Sequence, residues 1–576
     1  MSWSEHMQDV AAGIRGDARG ARNSGMPWAT RSPVLAANGA AATSQPLATQ
    51  IALDILKSGG SAVDAAIAAN AALGVMEPTD NGIGGDLFAM VWDPKSAKLH
   101  GLNASGRAPL GQTLDALLAK LKGRSHIPEY GSLSVTVPGA VDGWFALHGR
   151  FGRLQMCDVL APAIDYARKG FPLSQFIAYS FGRYKPSFEQ HFKDGLIEEI
   201  DNYKSTFLRG DQPYREGEIF TNPDLASTLE TLADDGRNSF YEGALADVMD
   251  AYLNCIGAPL RKRDLEAHTS TWVDPVSIEY RGWDVYELPP NGQGVAALQM
   301  LNILKHFDLA AMGPLSPDAL HVMTEAKKLA FADRARFYAD PQFYNAPLTT
   351  LLSDDYAAQR AKLIDMNQAM DCVDHGPATL LKGDTVYLTV ADAQGMMVSL
   401  IQSNYLGMGS GLVPDGLGFM LQDRGAQFAL DPAHPNVYAP GKRPFHTIIP
   451  AFVMRDGRPL MSFGVMGGAM QPQGHAQIIV NMRDFGMNVQ EAGDLARFHH
   501  AGSTEPTGTG EMRDGGALEL EAGVQRQVID ALQARGHTIR VTTGPFGGYQ
   551  AIYREPKTGV YWAASEMRKD GQAGGF

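Results

Sequence analysis

The chain has 576 residues, of which 44% are hydrophobic and 19% charged, and its formal net charge is −14. The composition is typical of globular proteins, and the length exceeds what a single hydrophobic core usually organises. The negative charge disfavours binding to phosphate backbones, and no run of eighteen apolar residues occurs, so we expect neither a nucleic-acid partner nor a membrane span.

The cysteines and the N-terminal segment give two further expectations. Cys157, Cys255 and Cys372 are far apart and form no CxxC or Cys/His cluster, which predicts reduced, structural cysteines and no metal site. The first thirty residues contain no apolar stretch typical of a secretory signal, so a cytoplasmic location is expected. We interpret residues 1–32 as an N-terminal extension.

The first predicted elements are two helices and a β-hairpin. Residues 46–56 and 62–73 carry apolar side chains every three or four positions on either side of a glycine pair. Residues 87–92 and 98–103 have strand composition around a turn. The glycines at 82–85 precede a strand instead of joining a strand to a helix, which argues against a dinucleotide-binding loop.

The character of the chain changes near residue 385. Helix-like segments dominate residues 154–371, for example 225–232, 295–307 and 317–337, with a strand predicted near 276–288. Beyond residue 382 a β-rich half begins with a hairpin, followed by further elements. These are the hairpin strands 385–391 and 396–402, strands 448–454 and 460–464, and helices 471–485, 489–497 and 525–535.

Thr385 opens the first strand of the β-rich half. From the residues alone this position is explained by ordinary β propensity, because threonine is common in strands. A functional interpretation needs additional information from the rest of the chain.

Sequence blocks along residues 33–565 resemble the γ-glutamyltranspeptidase family and occur in the family's order. They read SQPLATQ, GGSAVDAA, EPTDNGIGG, VPG, KGDTVYLTVAD, PGKRPFHTIIP, GVMGGAMQPQGH and ARFHH. The resemblance implies an α+β fold, the four-layer αββα sandwich of N-terminal nucleophile hydrolases. It also implies one precursor that is cut between Asp384 and Thr385 into a helix-rich large subunit, residues 1–384, and a small subunit, residues 385–576, which together form one fold.

The resemblance assigns the catalytic roles. Cleavage would free the α-amine of Thr385 to act as general base toward its own hydroxyl, which becomes the nucleophile. Gly467 and Gly468 match the family's oxyanion hole, and Ser403 matches a hydroxyl that supports the nucleophile. Without the resemblance, the glycines read as a plain turn and Ser403 as a polar residue that ends a strand. No cofactor or metal is implied, and the assembly is an αβ heterodimer or its dimer.

The positions that bind a γ-glutamyl substrate in the family differ together in this chain. They are Arg107, Tyr405, Arg424, Gln427, His446 and Thr447. Gln427 occupies the position of the family's aspartate, so a substrate amine loses its partner. Arg107, Arg424 and His446 suit an anionic substrate instead, although single charges beside clefts are often structural.

We therefore expect amide hydrolysis through a threonine acyl-enzyme, acting on a small acidic amide. The PFHTIIP block resembles a bacterial subgroup that includes oxamate amidohydrolase, which makes oxamate the first candidate. The alternative within the family is a γ-glutamyl hydrolase or transpeptidase acting on glutathione-like substrates. An alternative of another class is an uncleaved, catalytically silent binding protein.

Overall fold

The computed structural model describes Gly25 and residues 27–373, 384–508, 512 and 514–576, with Asp384 described by its backbone alone. Most of the expected extension, residues 1–32, thus lies outside the described residues.

The helices are α1 Pro46–Lys57, α2 Ala62–Met76, α3 Leu114–Leu121, α4 Ala140–Phe151, α5 Met156–Lys169, α6 Gln175–Lys193, α7 Asp201–Phe207, α8 Pro223–Asp235, α9 Arg237–Tyr241, α10 Ala244–Cys255, α11 Lys262–Glu266, α12 Gly294–Leu304, α13 Leu309–Met312, α14 Pro317–Phe337, α15 Leu348–Leu351, α16 Asp354–Ala361, α17 Met470–Arg483, α18 Val489–Asp494 and α19 Arg526–Ala534, with 3₁₀ turns at Ser132–Ser134 and Arg424–Gln427. The strands are β1 Val34–Ala36, β2 Ala40–Thr43, β3 Asp86–Asp93, β4 Lys98–Ala104, β5 Phe171–Pro172, β6 Ile219–Phe220, β7 Thr271–Val273, β8 Val276–Tyr280, β9 Trp283–Glu287, β10 Asp384–Ala391, β11 Met397–Tyr405, β12 Ala451–Arg455, β13 Arg458–Val465, β14 Phe498–Ala501, β15 Ala517–Leu520, β16 Ile539–Val541, β17 Tyr549–Arg554, β18 Tyr561–Ser565 and β19 Gln572–Gly575.

Two seven-stranded sheets form the centre of the molecule. The first sheet has the strand order β1-β18-β17-β13-β12-β9-β8, and the second has the order β19-β2-β10-β11-β3-β4-β7. Each sheet combines strands from before and after Thr385. The part of the chain that the sequence presents as helix-rich therefore also supplies strands to both sheets.

Three apolar clusters separate four layers. One cluster packs α2 and neighbouring helices against the second sheet, and another packs α12, α14 and α17 against the first sheet. A third cluster, which includes Phe88, Ile401, Phe452 and Ile552, fills the space between the two sheets. The predicted αββα sandwich is confirmed by this arrangement, in which each sheet buries one face against helices and the other against its partner sheet.

Strand β10 alternates between these two environments. Val386 and Leu388 belong to the helix-facing cluster, whereas Tyr387 faces the first sheet. Tyr387 packs over Gly464 of β13, where an added Cβ would lie only 2.5 Å from the tyrosine ring. The strand therefore approaches β13 as closely as a glycine permits.

Several predicted elements differ from the structure at their ends. The strand expected over residues 276–288 is the hairpin β8–β9, whose turn residues Arg281 and Gly282 both have positive φ, 50° and 86°. The strand expected from residue 448 begins at Ala451, directly after a proline that has no N–H to donate. The helix expected over residues 489–497 ends at Asp494, and strand β14 follows it.

Two further expectations concern the cysteines and membrane-spanning helices. All three cysteines are exposed, and none forms a disulfide among the described residues. Of the helices described, none pairs bilayer-spanning length with the necessary apolar composition.

The contact between Tyr387 and Gly464 predicts a strong effect of one methyl group. Gly464→Ala should lower the free energy of unfolding by about 1–3 kcal/mol, because the ring and both sheets must shift to make room. Gly149→Ala is the matched control, since a Cβ on this exposed glycine of α4 meets nothing within 4 Å. Urea unfolding measures both, and equal stability of the two variants would contradict the close sheet contact.

Candidate active site

Thr385 lies at the start of β10, beside an irregularity in the ladder. Val386 pairs with Gln402 of β11, but Asp384 pairs with Tyr405, so the register shifts by one residue. This β-bulge places two residues of β11 opposite Thr385. The backbone of Tyr405 accommodates the bulge with a φ of 87°. Thr385 is 1% exposed and, by strand alternation, belongs to the face between the sheets.

Ser403 is one of the two residues opposite Thr385, on the same face of the sheet. Its hydroxyl oxygen accepts a hydrogen bond from the N–H of Tyr405 at 2.8 Å. On its other side Ser403 pairs with Asp86, the first residue of β3. Thr385, Ser403 and Asp86 therefore stand at one level on three neighbouring strands.

The Gly467–Gly468 pair follows β13 in a conformation that favours glycine, with φ of 113° and 59°. Their carbonyls accept hydrogen bonds from the N–H groups of Met470 and Gln471 at 3.0 and 3.2 Å. Within the described residues, the N–H of neither glycine donates a hydrogen bond. Two donors next to the first turn of α17 are thus available to an oxyanion.

Two contacts between the sheets set the level of this glycine pair relative to Thr385. The hydroxyls of Thr389 and Ser462 are 2.5 Å apart, and Tyr387 lies over Gly464. The two strands run in opposite directions, so each step back along β10 corresponds to a step forward along β13. Two residues further along each strand, Thr385 is at the level of the residue that precedes the glycine pair.

Arg424 is fully buried and only partly satisfied. One guanidinium nitrogen donates to the hydroxyl of Thr447 at 2.7 Å, and the guanidinium lies 4.6 Å from the ring centroid of Tyr405. Its Nε and its other terminal nitrogen have no hydrogen-bond partner among the described residues. Burial lowers the pKa of Arg424 to about 10, although Asp86 and Tyr405 oppose this effect. Arg424 remains a cation at neutral pH and can bind an anion.

His446 is the neutral neighbour of this cation. Burial, together with the charge of Arg424, lowers the pKa of His446 to about 3. Its Nε2–H donates to the Asp86 carboxylate at 2.8 Å, since a carboxylate can only accept. The buried Nδ1 lone pair has no partner within the described residues, so it can accept a hydrogen bond from a substrate N–H. The sequence presents His446 as a group for an anion, whereas the structure makes it an acceptor.

Gln427 belongs to a group with Tyr405, Arg424, His446 and Thr447, which we call the substrate wall because the family resemblance assigns these positions to substrate binding. Its amide nitrogen donates to the hydroxyl of Tyr405, and its buried Oε1 has no partner among the residues described. Burial raises the pKa of Tyr405, so its hydroxyl stays protonated. The position that holds an aspartate in the family, according to the resemblance, thus carries a neutral amide in this site.

Arg107 follows Gly106, whose N–H donates to the Asp86 carboxylate at 2.8 Å. Arg107 is half-buried, and one of its guanidinium nitrogens has no partner within the described residues. Burial lowers its pKa, while Asp340 opposes the change. The backbone beside Arg107 is thus anchored to the same carboxylate that binds His446.

Gln293 is a residue that sequence reasoning missed. Its amide nitrogen donates to the carbonyls of Thr447 at 2.6 Å and Gly468 at 2.9 Å, and thereby ties the substrate wall to the glycine pair. Arg334 holds the other end of the amide at 2.6 Å and pairs with the buried carboxylate of Glu505. A glutamine before an apolar helix carries no local signal for such a role, because the two carbonyls that it binds lie more than 150 residues away along the chain.

The four-layer fold, with a threonine opening a central strand opposite a glycine loop, is that of the N-terminal nucleophile hydrolases. The family model described as gamma-glutamyltranspeptidase matches residues 48–576. A glutathione hydrolase-like YwrD proenzyme of Bacillus subtilis is 36% identical over 92% of this chain and 97% of its own. An oxamate amidohydrolase proenzyme of Klebsiella pneumoniae is 34% identical, covering 94% and 98%.

The solved structures agree with these relatives. The crystal structure of a cephalosporin acylase from Bacillus halodurans has a TM-score of 0.87 and 43% identity, covering 95% of this chain and 97% of the other. This chain belongs to the gamma-glutamyltranspeptidase family and is an enzyme of the amidohydrolase or γ-glutamyltransferase type.

The hydrogen bonds of Gln293 generate a prediction. Gln293→Met keeps the side-chain volume but leaves the Thr447 carbonyl without its donor and removes one of the two hydrogen bonds to the Gly468 carbonyl. This change should lower stability by about 1–3 kcal/mol and displace the glycine pair. Displacement by about 1 Å can lower the rate constant at saturating substrate about 100-fold. Gln299→Met is the control, because this buried glutamine of α12 bonds to Asp333 and Tyr338 away from the site. Amide hydrolysis and thermal unfolding are measured together, and equal losses of activity in both variants would contradict the special role of Gln293.

Proposed function

We propose that this enzyme is a self-processing amidohydrolase that cuts its own chain before Thr385 and then hydrolyses a small amide bearing a carboxylate, such as oxamate. The observation that carries the substrate proposal is the buried, half-satisfied guanidinium of Arg424. A buried polar group without a partner is costly, and a carboxylate accepts bidentate hydrogen bonds from a guanidinium. The match to an oxamate amidohydrolase proenzyme supports the same class of substrate.

The proposed chemistry begins with the freed α-amine of Thr385. The amine takes the proton from the threonine hydroxyl while the oxygen attacks the substrate's amide carbon. The N–H groups of Gly467 and Gly468 stabilise the oxyanion, and Ser403 orients the nucleophile from the opposite strand. The tetrahedral intermediate expels the substrate's nitrogen with the proton from the amine, and a water molecule then hydrolyses the acyl-threonine. No cofactor takes part in these steps.

The substrate wall contributes binding. Arg424 would hold the carboxylate, and the Nδ1 of His446 would accept a hydrogen bond from the substrate. Tyr405 and Thr447 hold the guanidinium, and Gln427 donates to the hydroxyl of Tyr405. We assign Arg107 to the outer part of the site, where its one unpartnered guanidinium nitrogen would attract an anion on entry.

The proposed cut would leave two subunits that remain associated. In the second sheet β10, which follows the cut, pairs with β2, which precedes it, and β11 likewise pairs with β3. The first sheet also contains strands from both sides of the cut. Separation would break both sheets. A heterodimer, alone or as a dimer of heterodimers, is the expected product.

A γ-glutamyl substrate is the second candidate, because the YwrD relative is named as glutathione hydrolase-like. A γ-glutamyl group carries an ammonium that needs a negative partner. Gln427 cannot supply one, and burial raises the pKa of the nearby Asp423 well above its ordinary value, which favours its neutral form. These two features favour the acidic amide.

Self-processing can be tested by the intact mass of the purified protein under denaturing conditions. Wild type should give two fragments, residues 1–384 and 385–576, whereas Thr385→Ala should remain one chain because it lacks the attacking hydroxyl. Thr385→Ser is the control, since it keeps a hydroxyl and should still be cut. A wild-type chain that stays whole would support the silent binding protein.

The substrate proposal can be tested by comparing oxamate with its neutral analogue oxamide. Arg424→Met should lower kcat/KM for oxamate about 10- to 100-fold, the usual worth of a hydrogen bond to a charged group, and should affect oxamide much less. Arg526→Met, at an exposed position of α19, is the matched control and should change neither. Release of glutamate from a γ-glutamyl anilide, without turnover of oxamate, would favour the second candidate.

A further inference from the structure

A buried cluster of metal-ligating side chains lies outside the active site. His321 and Glu325 are one turn apart on α14 and share a face of the helix, and His537 follows α19. One ligand atom from each residue lies within 4.8 Å of the others. All three side chains are buried, and the proposed reaction uses none of them.

We propose that His321, Glu325 and His537 form a binding site for a divalent transition-metal ion of the Zn²⁺ type. Two imidazole nitrogens and a carboxylate oxygen are a ligand set that such ions accept, with a further position open to water. The proposal rests on the positions of these three groups and not on the reaction of Thr385.

His321 is already oriented as a metal ligand. Its Nε2 lies 2.8 Å from the backbone carbonyl of Asp365, and since a carbonyl only accepts, Nε2 carries the proton. Nδ1 therefore carries the lone pair, and it lies on the side of the ring that faces His537. Metal-binding histidines usually donate their second N–H to a carbonyl or carboxylate in this way.

The distance between the two histidines is close to what a shared ion needs. His321 Nδ1 and His537 Nε2 are 2.8 Å apart and share a hydrogen bond. Two nitrogens bound to one tetrahedral zinc are about 3.3 Å apart, so the rings need to separate by only about 0.5 Å. Metal binding would replace the shared proton and move it to the other nitrogen of His537.

Lys328 competes with a metal ion for the carboxylate. Its ammonium lies 2.8 Å from Glu325 Oε1 and also donates to the carbonyl of Met370. Glu325 Oε2 accepts the N–H of Met370 at 2.8 Å. Arg535 is a second cation near His537. The affinity of the site is therefore limited by positive charge, which gives the proposal an additional test.

The position of the cluster connects distant parts of the chain. His321 and Glu325 precede Thr385, whereas His537 follows it. If the chain is cut as proposed, the ion would bind ligands from both subunits and stabilise their association. His537 stands between the exposed residues Gly536 and Thr538, which gives an ion a short path from solvent.

The test is a titration of tag-free, metal-stripped protein with Co²⁺, followed by its visible absorption, and with Zn²⁺, followed by thermal unfolding. Wild type should bind one equivalent per chain with an absorption spectrum of tetrahedral cobalt and a raised Tm. His537→Ala and Glu325→Gln should weaken binding by at least the roughly 10- to 100-fold that a lost supporting residue costs at metal sites. Lys328→Gln should tighten it, and His306→Gln, at an exposed position, should leave it unchanged.

Two outcomes would overturn the proposal. The first is a wild-type protein that binds no stoichiometric Co²⁺ or Zn²⁺, which decides the matter even if the variants misfold. The second is equal metal binding by wild type, Glu325→Gln and Lys328→Gln. The titration is repeated on uncut Thr385→Ala, where the three ligands are unchanged, so a failure of the processing proposal leaves this result intact.

Discussion

The alignment of β10 in the second sheet with β13 in the facing first sheet is the constraint on which the site depends. The proposed nucleophile, Thr385, opens a strand of the second sheet, while the glycine pair follows a strand of the first, so no single sheet fixes their separation. The hydroxyl contact of Thr389 with Ser462 and the packing of Tyr387 on Gly464 hold the two strands at one level. Because a one-residue slip would turn the side chains to the other face, this contact sets both the level and the direction of Thr385.

A series of hydrogen bonds also connects the end of β11 to the glycine pair. The N–H of Asp423 donates to the carbonyl of Asn404, beside Ser403, and Arg424 follows directly in sequence. Arg424 bonds to Thr447, whose carbonyl is joined by Gln293 to Gly468. The substrate wall and the oxyanion loop are thus parts of one network, and a change at either is expected to affect the other.

The sequence predicts those features that depend on local pattern. The alternation in 385–391, the glycine stop between α1 and α2, and the turn of the β10–β11 hairpin follow from side-chain period and turn chemistry. The αββα fold and the candidate site residues came from the family resemblance, because nothing in the neighbourhood of Thr385 distinguishes it from an ordinary strand threonine.

Long-range polar contacts could not be predicted. His446 and Asp86 are 360 residues apart, and Gln293 meets the carbonyl of Gly468 across 175 residues. Their roles depend on which groups become buried together, and that depends on the packing of both sheets. The pKa of His446 shows the consequence, since a histidine that looks like an anion-binding group in the sequence becomes a neutral acceptor once burial disfavours its charge.

Two buried arginines, Arg424 and Arg568, differ in how their guanidinium groups are paired, and this difference supports the proposed role of Arg424. Arg568 is also fully buried, but its guanidinium bonds to the carboxylates of Glu521 and Glu566. Burial alone would lower the pKa of Arg568, yet these carboxylates raise it above the ordinary value. Arg424 has no such pairing: its pKa is lowered, and two of its nitrogens lack partners within the described residues.

Arg568 is thus fully paired by carboxylates of the fold. Leaving a second buried arginine half-paired costs stability, and such a cost persists where binding of a complementary group offsets it. A substrate carboxylate would complete the hydrogen bonds of Arg424, and a neutral amide would leave them open. The same unpartnered nitrogens that weaken the free protein would therefore select the charged substrate over an uncharged one.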